Sequence, residues 1–128
     1  MSKWILDASA VLALLNQEPG SNVVERALGD GASVVTVNLA EVVAKLADAG
    51  MPNQAIREAL GALPISVVDF DEDLAYRTGL LRPPTHELGL SLGDRACLAL
   101  AQRLRLPVLT TDHAWASLDI GVEVRVLR

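Results

Sequence analysis

Several things are scarce in this chain, and each absence narrows its class. Cys97 is the only cysteine, so no disulfide can form within the chain, which suits a reducing cytoplasm. No apolar run approaches the roughly 18 to 20 residues that span a bilayer. No basic-plus-apolar leader opens the sequence, so export is not expected. Basic residues are outnumbered, 11 Lys and Arg against 16 Asp and Glu, for a formal charge of −5. That balance argues against gripping nucleic acid over a broad basic face. It leaves open an enzyme that meets phosphate through bound cations, because the acid excess can be the metal site itself. Repeats, low-complexity tracts and linkers are also missing, so residues 1–128 are expected to form one domain.

What the chain has in plenty is apolar surface. Hydrophobic residues make up 51% of it and mean hydropathy is +0.32, high for so short a soluble chain. A domain of this size cannot hide all of that alone, so a homodimer or a protein partner is expected.

The apolar runs alternate between strand and helix patterns. Trp4-Ile5-Leu6 reads as a short strand ending at Asp7, followed by a helix from Ala8 to Leu15. Ser21 can cap a second helix to about Leu28, broken by Gly29-Asp30-Gly31. Ala32 to Val37 reads as a strand, then Asn38 to Glu41 lead into a helix to Asp48. Pro52 is placed as the first residue of a helix of about Asn53 to Leu60, and Pro64 to Val68 forms a third strand. Asp71 caps a helix to about Leu81, and Arg82-Pro83-Pro84-Thr85-His86 reads as a stiff connector. The almost wholly apolar helix from Ser91 carries Cys97, which belongs in the core. Pro107 to Thr110 is a buried strand, Trp115 sits on a short helical turn packed on the core, and Val122 to Val126 alternates as a half-exposed edge strand. This order implies an α/β fold, a mostly parallel central sheet with helices on both faces.

Four acids fall where strands end and helices begin. Asp7 ends the first strand and Asp112 a later one, while Glu41 and Asp94 lie in first turns of helices. In an open parallel sheet, ligands bind beyond the carboxyl ends of the strands. Carboxylates gathered there raise one another's pKa unless a cation sits among them. Oxygen-only donors favour Mg²⁺ or Mn²⁺ over zinc, and His86 and His113 do not stand at a zinc spacing. Each acid also has a plain structural role. Asn38-x-x-Glu41 and Ser91-x-x-Asp94 resemble capping boxes, and Asp7 and Asp112 can cap the helical segments after them. Lys45, one turn beyond Glu41, is in register for an i,i+4 ion pair. Arg95 can meet phosphate, a neighbouring carboxylate or an ordinary ion-pair partner.

Ile5-Leu6-Asp7-Ala8-Ser9-Ala10, Asn38-Leu39-Ala40-Glu41-Val42, Leu92-Gly93-Asp94-Arg95 and Leu109-Thr110-Thr111-Asp112-His113-Ala114-Trp115 resemble, in order and spacing, the motifs of PIN-domain ribonucleases, most closely the VapC toxins of bacterial toxin–antitoxin pairs. The resemblance spans essentially the whole chain. It implies a PIN-like three-layer fold and a Mg²⁺-dependent endoribonuclease, with Mn²⁺ a possible substitute, inhibited by a cognate antitoxin and usually dimeric. Carried over, Asp7 and Asp94 are the principal metal ligands, Asp112 completes the site, and Glu41 binds metal directly or through water. Thr110 matches the family's hydroxyl position and would hold a carboxylate or water; Ser9 and Asn38 stand where small polar residues are common. RNA hydrolysis would then proceed by attack of a metal-activated water.

Other readings fit the fold less well. A haloacid-dehalogenase-like phosphotransfer site wants an acid two residues after the first Asp, where this chain has Ser9, and a response-regulator site wants an acid beside Asp7. An RNA-processing nuclease without an antitoxin, or a non-catalytic RNA- or protein-binding module, remains compatible with the fold; the four intact acids speak against the module.

Overall fold

The computed structural model describes all 128 residues. Five strands, β1 (Trp4–Leu6), β2 (Ala32–Val35), β3 (Ile65–Val68), β4 (Val108–Thr110) and β5 (Val124–Val126), form one sheet in the order β3-β2-β1-β4-β5. Every pairing is parallel, so the sheet is wholly rather than mostly parallel. The chain builds outward from β1 to β3, then returns to lay β4 on the other side of β1. That reversal opens a crevice beyond the carboxyl ends of β1 and β4, the place where open α/β sheets bind ligands.

Successive residues of a strand face opposite sides of the sheet, and the core divides accordingly. Ile5 and Val108 point to one side, joining Leu74, Leu81, Leu90, Trp115 and the Ala96–Ala101 run. Leu6 and Leu109 point to the other, against Ala10, Val11, Val24, Val42, Leu46 and Ile56. The helices of these layers are α1 (Ala8–Leu15), α2 (Ser21–Asp30), α3 (Thr36–Asp48), α4 (Asn53–Gly61), α5 (Glu72–Leu80), α6 (Arg82–Thr85) and α7 (Leu92–Leu104). Helices on both faces of the sheet make three layers. Cys97 is fully buried on α7, and Trp115 is likewise buried, on a 3₁₀ turn at His113–Ser117. No helix is long and apolar enough to cross a membrane.

Local chemistry explains most boundaries and the places where they move. Asp71 accepts from the Leu74 amide and caps α5 as expected. Pro52 is the residue before α4 rather than its first. α2 enters on Gly20 at φ +98°, where a Cβ would lie 2.8 Å from that of Leu127, so only glycine fits. The same helix runs through Gly29 to Asp30 and stops only at Gly31, later than its composition suggests. β2 stops at Val35, two residues short of the expected Val37, because α3 begins at Thr36. There Thr36 Oγ1 accepts from the Phe70 amide, Val37 packs against the core, and Asn38 hydrogen-bonds α7. Tertiary contacts thus outweigh the strand preference of Thr36 and Val37. The expected connector Arg82 to His86 is instead the short helix α6 followed by a 3₁₀ turn. Its prolines occupy the first turn, where the missing N–H groups would lack intrahelical partners anyway.

Candidate active site

Asp7 leaves β1 in extended conformation and caps α1, its Oδ1 accepting from the Ala10 amide at 2.8 Å. Ser9 Oγ donates to the same oxygen at 2.7 Å, and Thr110 Oγ1 donates to Oδ2 at 2.6 Å. The two hydroxyls also brace the strand end opposite, Ser9 Oγ accepting from the Thr111 amide at 2.9 Å and Thr110 Oγ1 from the Asp112 amide at 3.1 Å. Ser9 and Thr110 therefore tie the ends of β1 and β4 together through one carboxylate. Asp7 is 4% exposed. Burial pushes its pKa up to about 6; the hydrogen bonds from Thr110, Ser9 and Ala10 oppose that rise, and the charge of Asp94 adds to it.

The other three acids arrive on separate elements. Asp94 stands in the first turn of α7, in a true capping box: Ser91 Oγ accepts from the Asp94 amide at 3.1 Å and Asp94 Oδ2 from the Ser91 amide at 2.9 Å. Asp112 Oδ1 accepts from the Ala114 amide at 2.9 Å and caps the 3₁₀ turn. Glu41 is different. Because α3 starts early, Asn38 and Glu41 lie inside it and no capping box forms between them. Asn38 instead donates to Glu41 Oε1 at 2.8 Å and to the Gly93 carbonyl at 3.0 Å, joining α3 to α7. Its own Oδ1 is buried without a partner.

All four carboxylates line one open cavity of about 430 Å³ with Ser9, Lys45 and the Thr111 segment. Structural capping and the convergence of acids are thus compatible: Asp94 and Asp112 each hold a helix end with one oxygen and present the other. Asp94 Oδ1, Asp112 Oδ2 and Glu41 Oε2 accept no hydrogen bond within the protein. The acids nevertheless stand apart, and no three of them form a closed metal-ligating cluster. Their chemistry fits a hard divalent cation, the donors being all oxygen, three of them uncommitted, and the acids mutually repulsive. Cys97 lies beneath them; burial, with smaller repulsion from Asp7, Asp94 and Glu41, holds its thiol well above the ordinary pKa and leaves it inert.

Arg95 does not reach the cavity. It is 6% exposed, and its Nε donates to Thr85 Oγ1 at 2.9 Å, locking α6 to α7. No carboxylate pairs with it, so the ion pair read from its position is not present. The Glu41–Lys45 ion pair does not form either. Gly93 has no role readable from its position in the sequence, yet a Cβ there would lie 2.5 Å from both Glu41 carboxylate oxygens. Its one visible signal is a glycine in the first turn of a helix otherwise built from good formers.

A wholly parallel sheet with four carboxylates lining one cavity at its switch point defines an acid-lined α/β domain. The family model described as PIN domain matches residues 4–121, and the chain belongs to that family. No curated protein matches the sequence. Among solved structures, a toxin–antitoxin complex from Klebsiella pneumoniae is 23% identical over 97% of each chain, with a TM-score of 0.72. The DNA-bound VapBC of Salmonella typhimurium is 17% identical over 100% of each chain, with a TM-score of 0.79. Mycobacterium tuberculosis VapC20, described as a sarcin–ricin loop cleaving toxin, is 16% identical over 94% of this chain and 98% of that one, with a TM-score of 0.72. At these identities the likeness is one of fold.

Proposed function

We propose that this PIN domain is a Mg²⁺-dependent endoribonuclease, with Mn²⁺ able to substitute, acting in the cytoplasm as the toxin of a VapC-type toxin–antitoxin pair. The observation that carries the reading is the convergence of Asp7, Glu41, Asp94 and Asp112 on one cavity at the switch point of the sheet. A bound cation would supply Lewis-acid polarisation of a phosphodiester and a lowered pKa for water. Asp7, oriented by three hydrogen bonds, gives the fixed carboxylate of the set. Asp94 and Asp112 would hold the cation with their free oxygens, and Glu41 would do so directly or through water. Ser9 and Thr110 keep Asp7 aimed, and Asn38 keeps Glu41 against α7.

The antitoxin partner is supported by the fold neighbours, of which several were solved as toxin–antitoxin complexes. Homodimerisation is supported by apolar side chains left in water, among them Tyr76 at 68%, Leu80 at 74% and Leu92 at 64% exposure.

The test is cleavage of total cellular RNA by purified protein with Mg²⁺, with EDTA, and with Asp7→Asn or Asp94→Asn. Discrete products that need the metal and vanish in both folded variants support the nuclease. Well-folded, metal-loaded protein that cuts nothing across a broad RNA panel would move the reading to a binding module.

A further inference from the structure

The cavity holds one cation, Lys45, among four carboxylates. The sequence offers it an obvious mate in Glu41, one helical turn earlier in the favourable order. The fold withholds that mate: Asn38 draws the Glu41 carboxylate over Gly93, and no acid lies within ion-pairing distance of the Lys45 ammonium. The chain has only two lysines against nine arginines, and the other, Lys3, lies before β1, at the opposite edge of the sheet. An exposed, unpaired ammonium at the mouth of an acidic cavity has a specific electrostatic consequence. Four carboxylates outweigh a single divalent cation, so a phosphate group would still approach excess negative charge. Lys45 offsets that excess from the rim, on a flexible stem that lets a compact charge follow the substrate.

We propose that Lys45 is a substrate-binding residue that contacts a backbone phosphate of the RNA where it enters the acidic cavity. This rests on the nuclease reading above and adds to it the group that would admit a polyanion to an acidic site. Such a contact reads charge and not sequence, so it should contribute alike to RNAs of any sequence.

Binding of a fluorescein-labelled, mixed-sequence single-stranded RNA to the Asp94→Asn chain, which blocks cleavage, is to be followed by anisotropy in Mg²⁺ across a salt series. Adding Lys45→Ala is expected to weaken binding roughly fivefold near 0.1 M salt and to flatten the log K against log salt slope by about 0.7, one single-strand phosphate contact. Lys45→Arg should restore most of both, and Lys3→Ala should change neither. Equal affinity and equal slope with and without Lys45 would overturn the assignment while leaving the nuclease reading intact. Unchanged RNA binding together with tighter Mg²⁺ binding by Lys45→Ala would also overturn it, making the lysine a counter-ion of the acids. If the parent chain binds no RNA and the unsubstituted protein cuts none, the nuclease reading fails and Lys45 with it. An exposed lysine leaves the fold intact on substitution, and unchanged melting temperatures check that.

Discussion

Replacing Asp7 by asparagine should abolish metal-dependent activity and, in the same molecule, make the metal-free protein more stable. The Asp7 carboxylate is buried at 4% exposure and its pKa stands at about 6 against 3.8 for a free side chain. The folded state therefore binds this proton more tightly than the unfolded chain does. Stability from this group is complete below pH 4 and is lost as pH rises through 6, the reverse of an ordinary paired carboxylate. A shift of about two units amounts to about 3 kcal/mol once the group is ionised. Asparagine keeps the geometry. Its carbonyl can accept from Ala10 and Ser9, and its amide can donate to Thr110 Oγ1, whose hydroxyl hydrogen is free to turn toward Ser9, 3.4 Å away. Removing the charge should thus recover about 2 to 3 kcal/mol at pH 8, or about 10 °C in melting temperature for a chain of this length. Denaturation of both proteins in EDTA from pH 4 to pH 8 is the assay. The gap should open between pH 4 and 6 and then hold level. Mg²⁺ should close it from the other side, raising the parent's stability by mass action and leaving the variant unmoved. A variant no more stable than its parent at pH 8, or a gap that widens toward acid, would refute the argument that Asp7 is a buried charge awaiting a cation.

Two further substitutions separate scaffold from site. Gly93→Ala places a methyl 2.5 Å from both Glu41 carboxylate oxygens. The carboxylate can swing aside, and alanine is the better helix former by about 1 kcal/mol, so stability should change by less than that. Mn²⁺ affinity by calorimetry and the cleavage rate should each fall about tenfold, the lower end of what outer-shell changes cost at metal sites; undiminished metal binding would mean Glu41 stands outside the ligand set. Thr110→Val conserves shape but deletes the 2.6 Å donation to Asp7 and the acceptor for the Asp112 amide. A cost of about 1 to 3 kcal/mol is expected, with the Asp7 pKa rising further above 6; an unchanged carboxyl titration by NMR would show that the hydroxyl does not govern this acid.

The sequence by itself determined the things that depend on neighbours along the chain. Alternating apolar runs specify five strands and the helices between them, and the caps Asp71, Ser91 and Asp112 act within three residues of their own positions. The spacing of the four acids was legible for the same reason, since each sits at the end of an element the pattern already marks. What only the tertiary structure decided are the relations between distant segments. The strand order puts β4 beside β1, so that Asp7 and Thr110, 103 positions apart, share a hydrogen bond. The early start of α3 follows from contacts with Phe70 and α7, which no local propensity encodes. Glu41 looks like the partner of Lys45 along the helix but is held by Asn38, which is itself anchored on the Gly93 carbonyl of α7, and Arg95 bonds Thr85 instead of an acid. A carboxylate or cation goes where burial and the full set of partners put it, and most of those partners are far away in the sequence.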